Sequence, residues 1–152
     1  MGKRRKAREY ALKILYAVDI QHDEKIDNCC AMLDSLYVNC PDQVKEYAET
    51  LAKGTLNHLD SIDKYISEYI RNWKLERMSP IDRNILRLGI YELLYEALDA
   101  KIIIDEAVEI AKKYGSNDAF QFINAVLDAI NKNMRSCQGS SKKKQKQLPA
   151  IM

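Results

Sequence analysis

The chain has 152 residues, 47% of them hydrophobic and 30% charged, which is enough for one domain with its own core and too polar for a membrane bundle. No run approaches the roughly 18 apolar residues of a membrane span. The basic opening Met1-Gly2-Lys3-Arg4-Arg5-Lys6 leads into mixed charge and not into the apolar block of an export signal, so a cytoplasmic location is expected. The formal net charge of +2 hides a polarised distribution. Five of the 24 bases lie in residues 1–8 and four in residues 136–152, with no acid in either segment. The remaining 15 bases face all 22 acids, leaving a body of about −7. Such a chain binds polyanions at one place, not over its whole surface.

Apolar residues recur at helical spacing nearly throughout, and no alternating strand run stands out. An all-α fold of about seven helices is expected. The first helix runs from about Arg4 to Gln21 and buries Ala7, Ala11, Ile14, Leu15 and Val18. A short helix after Asp27 carries Met32 and Leu36 on its apolar side. Pro41-Asp42 opens a long helix with Val44, Tyr47, Ala48, Leu51 and Thr55 on one face. The pattern restarts near Asp60 with Ile62, Ile66 and Tyr69 or Ile70, ending near Trp73. Ser79-Pro80-Ile81-Asp82 is a strong helix start: serine at the N-cap, proline at N1 and a carboxylate at N3. That helix buries Ile81, Ile85, Leu88 and Leu93. Gly89 in its middle costs about 1 kcal/mol against alanine, which suggests a close helix neighbour. Asp99 caps the next helix, with Ile103, Ala107, Ile110 and Tyr114 as its stripe and Gly115 as its stop. The last helix starts near Ser116 to Asp118 and uses Phe122, Ile123, Val126, Leu127 and Ile130. From Ser136 the composition turns lysine-rich and aperiodic, as in a disordered tail. Residues 1–135 thus read as a single domain and 136–152 as its tail.

An enzyme is not supported by the inventory. His22 and His58 belong to no metal or catalytic pattern, and five scattered glycines build no phosphate-cradling loop. Acid pairs such as Asp105-Glu106 read as solvated helix faces. Cys29 and Cys30 are adjacent while Cys40 and Cys137 stand apart, so free thiols are expected in place of a zinc or redox motif. No metal site and no cofactor are expected. Binding has positive support in the first helix. Tyr16 follows Arg5 by 11 residues, about 20° from the same face and about 16 Å along the axis in ideal geometry. A cationic end in line with an aromatic ring suits RNA, because bases neutralise phosphates and rings stack on unpaired bases. The basic first turn also opposes the helix dipole, so it is not there to stabilise the helix.

Several runs of the chain form an ordered set of motifs. The first is Arg4-Arg5-Lys6-Ala7-Arg8-Glu9 with Ala11-Leu12 and Leu15-Tyr16. Leu51-Ala52-Lys53-Gly54-Thr55-Leu56 and Trp73-Lys74-Leu75-Glu76-Arg77-Met78-Ser79-Pro80-Ile81-Asp82 follow. The last are Ile104-Asp105-Glu106-Ala107-Val108-Glu109 and Phe122-Ile123-Asn124-Ala125-Val126-Leu127-Asp128. In this order, over about residues 3–131, they resemble the NusB family of bacterial transcription antitermination factors.

The resemblance implies two small three-helix bundles, here about residues 3–75 and 76–135, joined by an extra helix. It implies binding to the boxA element of nascent ribosomal RNA leader transcripts together with the ribosomal protein NusE, within an elongating RNA polymerase complex that holds other Nus factors. Carried onto matching positions, the RNA surface comprises Lys3, Arg4, Arg5, Lys6, Arg8, Tyr16, Gln121 and Phe122, with Asp118 at its rim. The spacing of Phe122 also suits the core. Glu76 and Asp82 are the candidate contacts for NusE, since a very basic ribosomal protein favours acidic partners. Two positions depart from the family pattern: Ala125 replaces a usual glycine, and Gln121 replaces a common lysine or arginine. Two other readings compete, and the oligomeric state stays open. One is the N-terminal domain of an RNA cytosine methyltransferase, which needs a separate catalytic domain. Another is a helical module that binds only proteins. An isologous homodimer burying the arginine-rich face would compete with RNA.

Overall fold

The computed structural model describes residues 2–21, 26–70 and 77–140, with side chains as far as residue 134. Among these residues there are seven helices and no strand: α1 (Lys3–Gln21), α2 (Ile26–Leu36), α3 (Asp42–Asn57), α4 (Leu59–Tyr69), α5 (Pro80–Tyr95), α6 (Ala100–Tyr114) and α7 (Ala119–Ser140). The fold is all-α, as expected. The chain divides between Asn57 and His58 into two compact units, and α4 packs on α5 and α7 within the second.

The first unit is a three-helix bundle whose most extensive contact is α1 on α3. Ala7 and Ala11 on α1, and Ala48 and Ala52 on α3, are fully or almost fully buried. Small residues at such spacing let two helix axes approach closely. Ile14, Leu15 and Leu51 add the bulk of the core. The shorter α2 departs from expectation: it buries Cys29, Cys30 and Leu33, whereas Met32 and Leu36 are exposed. Tyr10 on α1 donates its hydroxyl to Asp34 Oδ1 at 2.6 Å, tying α2 to the core. Burial first and this bond second push the Tyr10 phenol well above its ordinary range. Burial, with Glu49 next in size, pushes the Cys30 thiol up to about 12 from 9.0. Both groups hold their protons more firmly folded than unfolded. Their contribution to stability is therefore complete below about pH 9 and is lost as pH rises towards 12. Urea unfolding followed across that range should show the decline, and a flat profile would show that neither group is desolvated.

The second unit packs α5, α6 and α7 mutually, with α4 against α5 and α7. Ile62, Ile66, Leu86, Ile90, Ile103, Ile123, Leu127 and Ile130 form its buried interior, while Ile81, Leu93 and Tyr114 are only half-buried. Two caps read from the sequence are present. Ser79 accepts the Asp82 backbone N–H at 3.1 Å with Pro80 at the first helical position, and Asp99 accepts the Lys101 N–H at 3.0 Å. A Cβ placed on Gly89 would lie 3.0 Å from Leu127 Cδ1, so this glycine does admit α7. Gly115 ends α6 for a different reason from the expected one. Its φ is −78°, open to any residue, but a Cβ there would lie 2.7 Å from Ala111 O and 2.9 Å from Asp82 Oδ1. The position demands lack of bulk, not left-handed backbone. Helix α7 continues to Ser140, so residues 136–140 are helical where a tail was expected. Residues 141–152, His22 and Trp73 lie outside the described residues.

Candidate RNA interface

The basic end of α1 is built on α3. Lys3 Nζ donates to Gln43 Oε1 at 3.0 Å, and the Arg4 guanidinium lies over the Tyr47 ring at 5.9 Å from its centroid. Gln43 and Tyr47 are one turn apart, so a single face of α3 holds the first turn of α1. No acid occupies that first turn. Lys3, Arg4 and Lys6 are exposed and Arg5 is half-exposed. Eleven residues beyond Arg5, Tyr16 keeps 39% of its surface in solvent, enough for a base to reach the ring. The sequence pattern did not point to Gln43 or Tyr47. Their glutamine-x-x-x-tyrosine spacing becomes meaningful only when α3 is known to lie against α1.

Arg8 does not share this exposure. It is 3% exposed, because it falls on the arc of α1 that also carries the buried Leu12 and Leu15. A guanidinium so enclosed cannot meet a phosphate without leaving its present partners. Arg8, expected on the RNA surface, is thus placed in the packed interior.

The remaining candidates form a second group at the start of α7. Gln121 is exposed and Phe122 half-buried, so the phenylalanine is neither wholly core nor wholly free. Together with Met78, Ser79, Asp82, Ser116, Asn117, Asp118 and Ala119, Phe122 lines a pocket of about 280 Å³. Asp118, exposed at its edge, has φ of 63°. Aspartate tolerates that left-handed geometry better than most residues. Ala125 is exposed on α7, so the methyl that replaces the usual family glycine points away from the core.

Asp82, expected as a contact for NusE, is also enclosed. It is 7% exposed, and its two oxygens accept from the Ser116 backbone N–H at 3.2 Å and the Ser116 hydroxyl at 2.6 Å. This carboxylate clasps the start of α5 to the α6–α7 connection and is not a free acidic contact. Glu76, the other candidate for a basic partner, lies outside the described residues. Replacing Asp82 with alanine should cost about 2 kcal/mol in a denaturant melt, the size of hydrogen bonds made by a charged group. A loss below about 0.5 kcal/mol would mean that water replaces the clasp.

Among the described residues, no group of three or more histidine, cysteine or acidic side chains is placed to hold a metal. None of the helices is long and apolar enough to cross a membrane. Among the described residues Cys29, Cys30 and Cys40 form no disulfide, and the first two are buried.

Comparison with known proteins gives a consistent result. The sequence profile of the NusB family matches residues 5–132. A transcription antitermination protein NusB from a Nitratiruptor species is 43% identical over 142 residues, covering 93% of this chain and 99% of that protein. The same-named protein of Thermodesulfovibrio yellowstonii is 42% identical over 151 residues, again covering 93% and 99%. Among solved structures, T. maritima NusB superposes with a TM-score of 0.76 at 38% identity, over 85% of this chain and 90% of that one. Antitermination factors NusB and NusE in complex with dsRNA supply another match, with a TM-score of 0.78 at 27% identity over 86% and 97%. The exposed basic turn of α1, the aromatic in line with it and these matches over nearly the whole folded chain lead to one conclusion: the chain belongs to the NusB family.

Proposed function

We propose that this protein is an RNA-binding transcription antitermination factor that binds boxA of nascent ribosomal RNA leaders with NusE and keeps the elongating polymerase complex processive. The observation that carries the reading is the α1 face. An acid-free basic turn is braced by Gln43 and Tyr47, and a solvent-facing tyrosine stands farther along the same helix. Phosphates meet Lys3, Arg4, Arg5 and Lys6, and an unpaired base stacks on Tyr16. On the second unit, Gln121 and Phe122 are further candidates for RNA contact, with Asp118 lining the same pocket as Phe122. NusE is assigned to the second unit. There Asp82 acts by ordering the α5 start through Ser116, not as a free carboxylate.

The methyltransferase reading requires a separate catalytic domain, and the two curated relatives, both named as antitermination proteins, are matched over 99% of their own length. A purely protein-binding module leaves the alignment of Tyr16 with the basic turn without a purpose. The direct test is transcription in vitro on a template carrying a boxA leader ahead of a terminator, with polymerase, NusE and the other Nus factors supplied. Adding the protein should raise read-through on the boxA template and not on one with boxA scrambled; equal read-through on both would refute the proposal. In RNA binding, Tyr16→Ala should lose about 1–3 kcal/mol per stacked base. Tyr16→Phe should bind nearly normally, and an equal loss in both variants would show that the hydroxyl, not the ring, makes the contact.

A further inference from the structure

Exposed large apolar side chains are concentrated in the first unit. Ile20, Met32, Leu36 and Val38 are 48%, 39%, 67% and 71% exposed, and Tyr16 and Tyr37 join them. Single exposed apolar residues are ordinary, but a contiguous strip marks an interaction surface.

Contacts between α1 and α2 set the exposed faces of the two helices beside each other. Asp27 and Asp34 of α2 are turned to α3, where Lys53 and Lys45 pair with them at 3.3 and 3.8 Å. Met32 and Leu36 stand two residues either side of Asp34, about 160° round the helix and so away from α3. At the end of α2 the Tyr37 ring sits edge-on to Tyr10, centroids 5.9 Å apart, and under Lys13 Nζ at 4.5 Å. That contact brings the apolar side of α2 alongside the α1 face on which Lys13, Tyr16 and Ile20 succeed one another at helical spacing. The charges on the strip are unequal. Lys6 and Lys13 lie one heptad apart on the α1 face, with Glu9 between them. The solvent side of α2 carries the uncharged Asn28, Ala31 and Ser35, while Asp34 and the largely exposed Asp27 pair with lysines of α3.

We propose that this α1–α2 strip is a docking groove for an amphipathic helix of a protein partner, with aliphatic residues lying on Ile20, Met32 and Leu36 and acidic flanks facing Lys6 and Lys13. Two helices with an apolar seam receive a third through anchors at i, i+3, i+4 and i+7. RNA does not suit α2 itself, since the described residues Ile26–Leu36 include no lysine or arginine to meet a phosphate. The proposal is distinct from boxA binding and shares Tyr16 and Lys6 with the proposed RNA surface, which the strip borders.

The test uses the full chain and a fluorescent synthetic peptide of about 18 residues, with leucine at the anchor positions and glutamate elsewhere, against a matched peptide with lysine in place of glutamate. The glutamate peptide should bind at least about tenfold tighter than the lysine peptide. Met32→Glu with Leu36→Glu should weaken it by about tenfold or more while boxA RNA binding is unchanged. Lys13→Glu, a half-exposed charge swap that leaves the apolar seam in place, should reverse the preference between the two peptides. Equal binding of both peptides, or binding unaffected by the double change, would overturn the proposal. So would a concentration-dependent dimer in sedimentation that the double change abolishes, because a second copy would then cover the strip.

Discussion

With Lys3, Arg4 and Lys6 all replaced by alanine, affinity for single-stranded boxA RNA should fall about 100-fold near 0.1 M salt, and the plot of log K against log salt should become shallower by about 2. The size follows from counterion release: each phosphate contact on a single strand contributes about 0.7 to the slope. All three side chains are exposed, and their contacts among the described residues are those of Lys3 with Gln43 and Arg4 with Tyr47. Helix content should therefore be unchanged or slightly increased, since the lost charges opposed the α1 dipole. Anisotropy titrations at several salt concentrations, with circular dichroism as the folding control, separate these effects. An unchanged slope would place the phosphates elsewhere on the molecule.

The largest loss of stability is expected from Asp63→Ala, about 3 kcal/mol in urea. Arg87 Nε and Nη2 donate to the two Asp63 oxygens at 2.8 and 2.9 Å, and Nη1 donates to Asn84 Oδ1 at 3.2 Å. This bidentate pair joins α4 to α5, and its arginine side chain is only 10% exposed. Removing the carboxylate leaves a desolvated guanidinium without its counter-ion. Replacing both residues together with apolar ones of similar size should recover most of the loss, because no uncompensated charge is then left buried. A single-variant cost below about 1 kcal/mol would show that water already screens the pair.

Much of the second unit was legible in the sequence because its signals are local and independent. Ser79-Pro80 and Asp99 announce caps that need no tertiary context, and Gly89 announces a close approach whatever the neighbour is. The first unit was harder to read. On α2, Met32/Leu36 and Cys29/Leu33 are both pairs spaced by four, so periodicity alone cannot choose which side is buried. The choice is made by Asp34, which bonds Tyr10 and pairs with Lys45, and by Asp27, which pairs with Lys53. Arg8 misled in a similar way. It sits in an arginine-rich run, but it follows the buried Ala7 and precedes Leu12 by four residues, placing it on an apolar arc. Asp82 satisfied the rule for acids in a first helical turn, yet its use is set by Ser116, 34 residues later. Long-range polar clasps of this kind leave no periodic trace. The chemical class of the candidate site was readable from the acid-free basic turn and Tyr16, whereas Gln43 and Tyr47, which brace that turn, required the structure.

The most direct test of the central claim is a fluorescence-anisotropy titration of boxA RNA and a scrambled RNA of equal length, each with and without NusE, at two salt concentrations. The account predicts tighter binding to boxA, a preference that widens when NusE is added, and affinity that falls steeply with salt. Equal binding to both RNAs, unaltered by NusE at either salt concentration, would contradict it.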